Sequence, residues 1–275
     1  MAPVIDYLSP GIFTSLEGVD PRVIEPVPDD PVGICTPARH LVIQPYDARP
    51  LGVPAERFEE NQIRPVSAII GKLLALDPAP VTVAREPGKR VVGTCRDFSL
   101  LSCALLRHRG FAARVRCGFG TYFEPGQGLD HWVTEYHDGT RWVRIDTEHL
   151  GKDLPATLHD LRPGEFLTGG EAWLAYRRGE IDASTFGVPG TENWGPAEIQ
   201  GNAVRDLAAL NNVETLPWDE WGRMTEAYDG KTGPDYDALL DELAEVCASD
   251  NPAAISALYL HEDLRVPGTF LHTAT

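Results

Sequence analysis

Cys95 lies in the run VVGTCRDFSLL, between two small residues and an Arg-Asp pair, just ahead of an apolar stretch. A cysteine so placed can be a packing residue, a metal ligand or a nucleophile. Thr94 and Asp97 have the spacing of the N-cap and N3 residues of a capping box, which makes Cys95 the first residue of a helix. Unpaired N–H groups and the positive end of the helix dipole favour a thiolate at that position. Arg96 adds positive charge, partly offset by Asp97. Taken alone, packing is the better reading, since capping boxes are common.

A thiol nucleophile needs an imidazole and, behind it, a carboxylate. HWVTEYH and TRWVRID flank Asp138-Gly139, a strong hairpin signal. A two-residue turn pairs His137 with Thr140 and sets His131 directly opposite Asp146, their Cβ atoms about 5 Å apart. A carboxylate there holds the ring in one tautomer and stabilises its protonated form. A surface His–Asp pair on a hairpin is the bland alternative. The three residues together, in the order Cys, His, Asp, form the set that acyl transfer through a thioester requires. The sulfur attacks a carbonyl, the imidazolium protonates the leaving group, and the carboxylate orients the ring. The backbone N–H of Cys95 is a natural oxyanion donor.

GTCRDFSLL followed by LDHWVTEYHDGTRWVRID resembles the core of the transglutaminase-like superfamily. Bacterial members carry G-x-C-R-D-[FH] at the cysteine, H-x-[WVE]-x-E at the histidine and W-x-x-x-D at the aspartate. The resemblance implies Cys95 as nucleophile, His131 as general base and acid, and Asp146 as the orienting carboxylate. It covers residues 88–150. It implies a papain/transglutaminase-like α+β fold, a central helix against a small antiparallel sheet, with flanking helical segments. Peptide, protein or small-molecule amide or acyl donors, with water or an amine as acceptor, are the substrates it implies. An amide-forming acyltransferase fed by a carrier-protein thioester is a second reading, and a non-catalytic binding module with this fold a third. The animal crosslinking members use calcium, but no D-x-D-x-D-G loop is present.

The elements that must position these residues follow from pattern. TCRDFSLLSCALLRHRG reads as a buried helix ending at Gly110, in the C′ position. AARVRCGFG (112–120) alternates as a strand, and TYFEPGQG is a loop beside His131, a rim for the site. Tyr122, Phe123 and Trp132 are candidates to line an acyl cleft, although aromatics beside a sheet are more often core. Residues 1–33 read as a Pro- and Asp-rich loop, 34–48 as a helix, and 55–76 as a helix interrupted by Pro65. Beyond 150 strand character fades and helices are expected in GEAWLAYRRGE, AEIQGNAVRDLAALNN, WDEWGRMTEAY, DYDALLDELAEVCASD and PAAISALYL. The expected organisation is a lead-in (1–87), a catalytic core (88–150) and a mainly helical extension (151–275), as one compact unit.

Charge separates these parts. The formal net charge is −17; residues 1–150 contribute −3 and residues 151–275 contribute −14. That balance disfavours nucleic acid, whose phosphates need a basic face. Arg107, Arg109, Arg114 and Arg116 could form a patch for an acidic carrier protein, or be simply solvated. No stretch approaches a membrane span, and the start lacks a basic and apolar leader, so a cytoplasmic protein is expected. The five cysteines are an odd set with no CxxC pair, neither a disulfide framework nor a zinc pattern. His137 could join His131 on a metal, but no third ligand has suitable spacing. No cofactor or metal is expected. Glu135 and Arg144 read as a structural ion pair, diagonal across the hairpin.

Overall fold

The computed structural model describes residues 5–271. The expected N-terminal loop begins within the undescribed residues 1–4, and its remainder contains two short helices, α1 (Pro21–Ile24) and α2 (Pro31–Cys35). Each starts with proline at its first position, where the missing N–H costs nothing. Asp20 and Asp30 cap them by accepting from Arg22 and Gly33 N–H.

The helix expected over 34–48 is broken. A 3-10 turn (Thr36–His40) leads to strand β1 (Val42–Ile43), and α3 (Pro45–Ala48) begins after it. Pro45 forces the preceding Gln44 into an extended conformation (ψ 145°), which ends any continuous helix. Residues 55–62 form a 3-10 helix, and α4 (Val66–Leu76) starts only past Pro65, so that proline separates two elements where a kink was expected. Strand β2 (Val91–Val92) pairs parallel with β1 and delivers the chain to the helix that carries Cys95.

That helix, α5 (Cys95–His108), is buried from Cys95 through Arg107. Its leucines and Phe98 are each worth about 1.5–3 kcal/mol when withdrawn from water, which anchors Cys95 against a rigid core. Gly110 takes a positive φ of 82°, and Phe111 N–H bonds the Leu106 carbonyl, closing the helix as its sequence requires. Strands β3 (Ala113–Gly120), β4 (Gly128–His137) and β5 (Trp142–Ile145) follow, and α5 packs across β3 and β4.

Strand character does not end there. β6 (Phe166–Thr168) pairs antiparallel with β3, giving the sheet order β5-β4-β3-β6. Gly118 permits the approach: a Cβ on it would lie 2.0 Å from the Leu167 carbonyl oxygen. Helix α6 (Gly169–Arg177) follows, then β7 (Phe186–Gly187), which pairs parallel with β4. Both strands are too short to show periodicity in sequence. Helices α7 (Pro196–Leu210), α8 (Met224–Tyr228), α9 (Pro234–Ala248) and α10 (Pro252–Leu258) complete the chain. WDEWGRMTEAY is helical only in its last five residues, which form α8. Helix α7 packs on β3, α6 and α9, so the sheet lies between α5 and the C-terminal helices. No helix among the described residues is long and apolar enough to cross a membrane.

Candidate active site

Cys95 is the first residue of α5, as its spacing predicts. The Asp97 carboxylate accepts from Thr94 N–H at 2.8 Å, one arm of the capping box. Arg96 does not add charge to the thiol. Its guanidinium is fully buried and spent on the Glu214 carbonyl (2.6 Å), the Arg64 carbonyl (2.8 Å) and Asp97 (2.8 Å). It ties the helix start to two other segments.

The hairpin register differs from expectation by two residues. His137 pairs with Trp142, and the turn spans Asp138 to Arg141, because the Asp138 carboxylate accepts from Thr140 and Arg141 N–H and stabilises a longer loop. Asp146 therefore does not stand directly opposite His131. An even-numbered slip keeps both side chains on one side of the hairpin, whereas a slip by one would have separated them. Asp146, just past the end of β5, still brings Oδ2 to 3.2 Å from His131 Nε2. The contact is close enough for an ion pair but is not aligned as a hydrogen bond, and Nε2 is otherwise unpartnered.

Asp146 has two partners that sequence reasoning missed or placed loosely. Tyr122 Oη donates to Oδ2 at 2.6 Å, and His149 Nδ1 lies 2.9 Å from the same oxygen. His149 N–H also donates to Oδ1 at 3.1 Å. Burial alone would raise the Asp146 carboxyl; the His131 and His149 rings and their contacts overturn this and hold it well below the usual range. Burial would likewise push the His131 imidazole down, but Asp146, then Glu148 and Asp130, raise it.

Glu148 was also missed. Its carboxylate accepts from the Gln44 amide at 3.1 Å, and it forms with Cys95 and His131 a group whose donor atoms lie within 4.8 Å of one another. His131, Asp146 and His149 form a second such group. Either has a donor set that zinc accepts; both use His131. The one signal available was local: Glu148 and His149 fall within three residues of Asp146, in the turn that leaves the hairpin.

The expectation that the helix start holds a thiolate is corrected. Burial pushes the Cys95 thiol well up, and the Asp130 and Glu148 carboxylates push it further; a backbone hydrogen bond from Trp132 only opposes this. Burial and the neighbouring carboxylates thus work against the charged sulfur that the helix start favours.

Among the aromatics, Phe123 sets its ring edge-on to His131 (centroids 5.1 Å apart) and against His149 (5.0 Å). Tyr122 and Phe123 thus reach the site from the loop after β3. Trp132 is buried within the core that α5 builds. His137 meets Trp142 edge-on and belongs to neither cluster. All five cysteines are free and buried. The proposed basic patch does not exist as a surface. Arg107, Arg114 and Arg116 are buried and bonded to Asn212, Glu135 and Asp206 respectively, and Arg109 pairs with Asp29.

Residues 77–147 match the model of the transglutaminase-like superfamily. The chain carries a transglutaminase-like core. The match ends one residue beyond Asp146 and includes Cys95 and His131. No curated protein and no solved structure matches the chain. The α+β arrangement, with α5 against a curled antiparallel sheet, is that of such a core.

Proposed function

We propose that this transglutaminase-like core is a cysteine acyl-transfer enzyme. The observation that carries the reading is the convergence of Cys95, at the head of a buried helix, with His131 and with an Asp146 that contacts the His131 ring at 3.2 Å. His131 takes the thiol proton, and Cys95 Sγ forms a bond to the carbonyl carbon of an amide or ester. The C–N or C–O bond breaks as the imidazolium returns its proton to the leaving group. Water or an amine, deprotonated by the same ring, then attacks the thioester and releases the sulfur. Asp146 balances the imidazolium charge throughout. The N–H of Cys95 lies in the first turn of α5, outside the intrahelical bonding, and is the natural donor to the developing oxyanion. The carrier-protein version of this reading loses the basic face that suggested it, because those arginines are internally paired.

The test is acylation by p-nitrophenyl acetate, followed by peptide mass spectrometry. An acetyl group on the Cys95 peptide, removed by hydroxylamine and absent in His131→Ala, supports the reading. Persistent absence of label on Cys95, with a native circular dichroism spectrum, overturns it in favour of a binding module.

A further inference from the structure

A cavity of about 570 Å³ opens beside the candidate site, lined by Arg39, His40, Arg90 and Lys152 together with Gln44 and Glu148. Phe98, one turn along α5 from Cys95, also lines it, and the Glu148 carboxylate reaches within 4.8 Å of the Cys95 sulfur. The cavity and the candidate nucleophile are therefore neighbours.

Its charge is opposite to that of the chain as a whole. Among the described residues, no carboxylate forms an ion pair with Arg39, Arg90 or Lys152, in contrast to the paired arginines behind the sheet. Neutral acceptors hold the two guanidinium groups. Arg39 Nη1 donates to the Leu150 carbonyl and its Nε to His40 Nε2; Arg90 Nε donates to the Arg85 carbonyl at 2.8 Å. Nη2 of Arg39 and both terminal nitrogens of Arg90 keep their donors free. The acidic groups on the same wall are Asp47 and Glu148, and Glu148 is already engaged by Gln44. The His40 imidazole is pushed down, first by burial and then by Arg39 and Arg90.

We propose that this cavity is an anion subsite that takes a carboxylate or phosphate group at the far end of the acyl substrate. Glu148 both lines the cavity and lies within 4.8 Å of the Cys95 sulfur, so an anionic group in the cavity would leave the neutral acyl carbon toward the sulfur. The terminal fork of Arg90 and the remaining Nη2 of Arg39, both lining one cavity, suit a planar carboxylate or a phosphate through charge-assisted hydrogen bonds. The substrate orientation rests on Cys95 being the nucleophile; the anion site does not.

The experiment is calorimetric titration of the full chain at low ionic strength with inorganic phosphate and, separately, with glutarate. At least one anion is expected to bind saturably, with Kd of about 1 mM or tighter, and Arg90→Gln is expected to weaken it about tenfold. Cys95→Ala is expected to bind as the wild type does. Preference for phosphate assigns a phosphorylated substrate arm, and preference for glutarate a free acid. Arg39→Gln is a less secure probe because Arg39 also holds the Leu150 carbonyl, so Lys152→Gln serves as the second variant, with a smaller loss. The proposal is overturned by no saturable binding of either anion, or by equal binding in the wild type and natively folded Arg90→Gln and Lys152→Gln. Anion binding without acylation of Cys95 removes the enzyme reading and keeps the subsite; acylation without anion binding does the reverse.

Discussion

Two buried carboxylates on the same hairpin, Glu135 and Asp146, each gather three partners, yet they build different things. Glu135 accepts from Arg114 at 2.6 Å, Arg144 at 2.7 Å and Arg116 at 3.1 Å. Its partners extend to Asp206, Glu171 and Asp250. Guanidinium groups keep their protons at every accessible pH and hold the Glu135 carboxyl well below its ordinary range, so around neutrality this network keeps one charge state and acts as a fixed clamp between the sheet and the C-terminal helices. Asp146 gathers a phenol and two imidazoles. The His131 imidazole among those partners can take up and release a proton, while burial and Asp146 hold the Tyr122 phenol well above its ordinary range as a donor, so the same valence of contacts makes a site where a proton can move. What distinguishes frame from chemistry on this hairpin is the titratability of the partners, since burial and contact number are alike.

The largest effect tests the Asp146 side. Cys95→Ala and His131→Ala are each expected to lower acyl transfer by about 10³-fold or more, while unfolding free energy changes by only about 1–2 kcal/mol. Turnover and urea denaturation measured on the same preparations separate the two. A variant that unfolds and loses activity together would place these residues in the frame.

The Glu135 side is expected to show the reverse. Glu135→Ala leaves the buried Arg114 and Arg116 and the half-buried Arg144 with one carboxylate each, Asp250, Asp206 and Glu171, and is expected to cost about 3 kcal/mol, a large part of a typical domain's stability. Burial alone would raise the Glu135 carboxyl; Arg116, Arg114 and Arg144 hold it well below its ordinary value. A depressed folded value means that the stabilisation is complete above the ordinary glutamate range near about 4.3 and disappears as pH falls through the folded value. Wild-type and Glu135→Ala stabilities are therefore expected to differ most at neutral pH and to converge in acid. A pH-independent difference between the denaturation curves would show that Glu135 acts by packing alone.

The comparison also explains what the sequence made legible. The capping box, the alternation of residues 112–120 and the Gly110 stop are local signals, and α5 and β3 lie where they point. The Cys–His–Asp set was legible because residue type and chain order survive an error in register. The two-residue slip came from the Asp138 side chain, whose bonds to Thr140 and Arg141 lengthen the turn beyond what the Asp-Gly pair indicates. Strands β6 and β7 were not legible, since three- and two-residue strands exist only through the neighbours they pair with. Glu148 and His149 were not legible for a related reason. Their importance comes from Gln44 and His131, which are distant in sequence and adjacent only after folding. The arginines Arg107, Arg114 and Arg116 read as surface because their partners, Asn212, Asp250 and Asp206, lie 105, 136 and 90 residues away.

Glu148→Gln sharpens the comparison by changing charge without changing shape. After burial, the Asp130 and Glu148 carboxylates are what push the Cys95 thiol up. Removing one negative charge favours the thiolate, so the alkylation of Cys95 by iodoacetamide is expected to shift to lower pH by about half a unit to one unit. In the wild type the labelling midpoint is expected above that of a free thiol, near about 8.5. A wild-type midpoint well below that value would mean that the His131 imidazolium outweighs both burial and the acidic ring. The matching change at Glu135, to Gln, is expected to leave the Cys95 profile where it was.

The smallest effect comes from Tyr122→Phe, and it examines how Asp146 divides itself. The phenol gives Oδ2 its shortest hydrogen bond, 2.6 Å, while His131 Nε2 waits at 3.2 Å without alignment. Loss of the hydroxyl is expected to cost about 1 kcal/mol of stability, because His149 still donates to the same oxygen. With one donor gone, more of the carboxylate's charge faces His131, so that ring's titration is expected to move to higher pH. Acyl transfer is expected to fall by less than about tenfold, because the carboxylate itself remains. Histidine NMR resonances followed across pH read the first change directly. A downward movement of His131 would show that Tyr122 presses Asp146 toward the ring, and that the resting misalignment at Nε2 is held open by His149 instead.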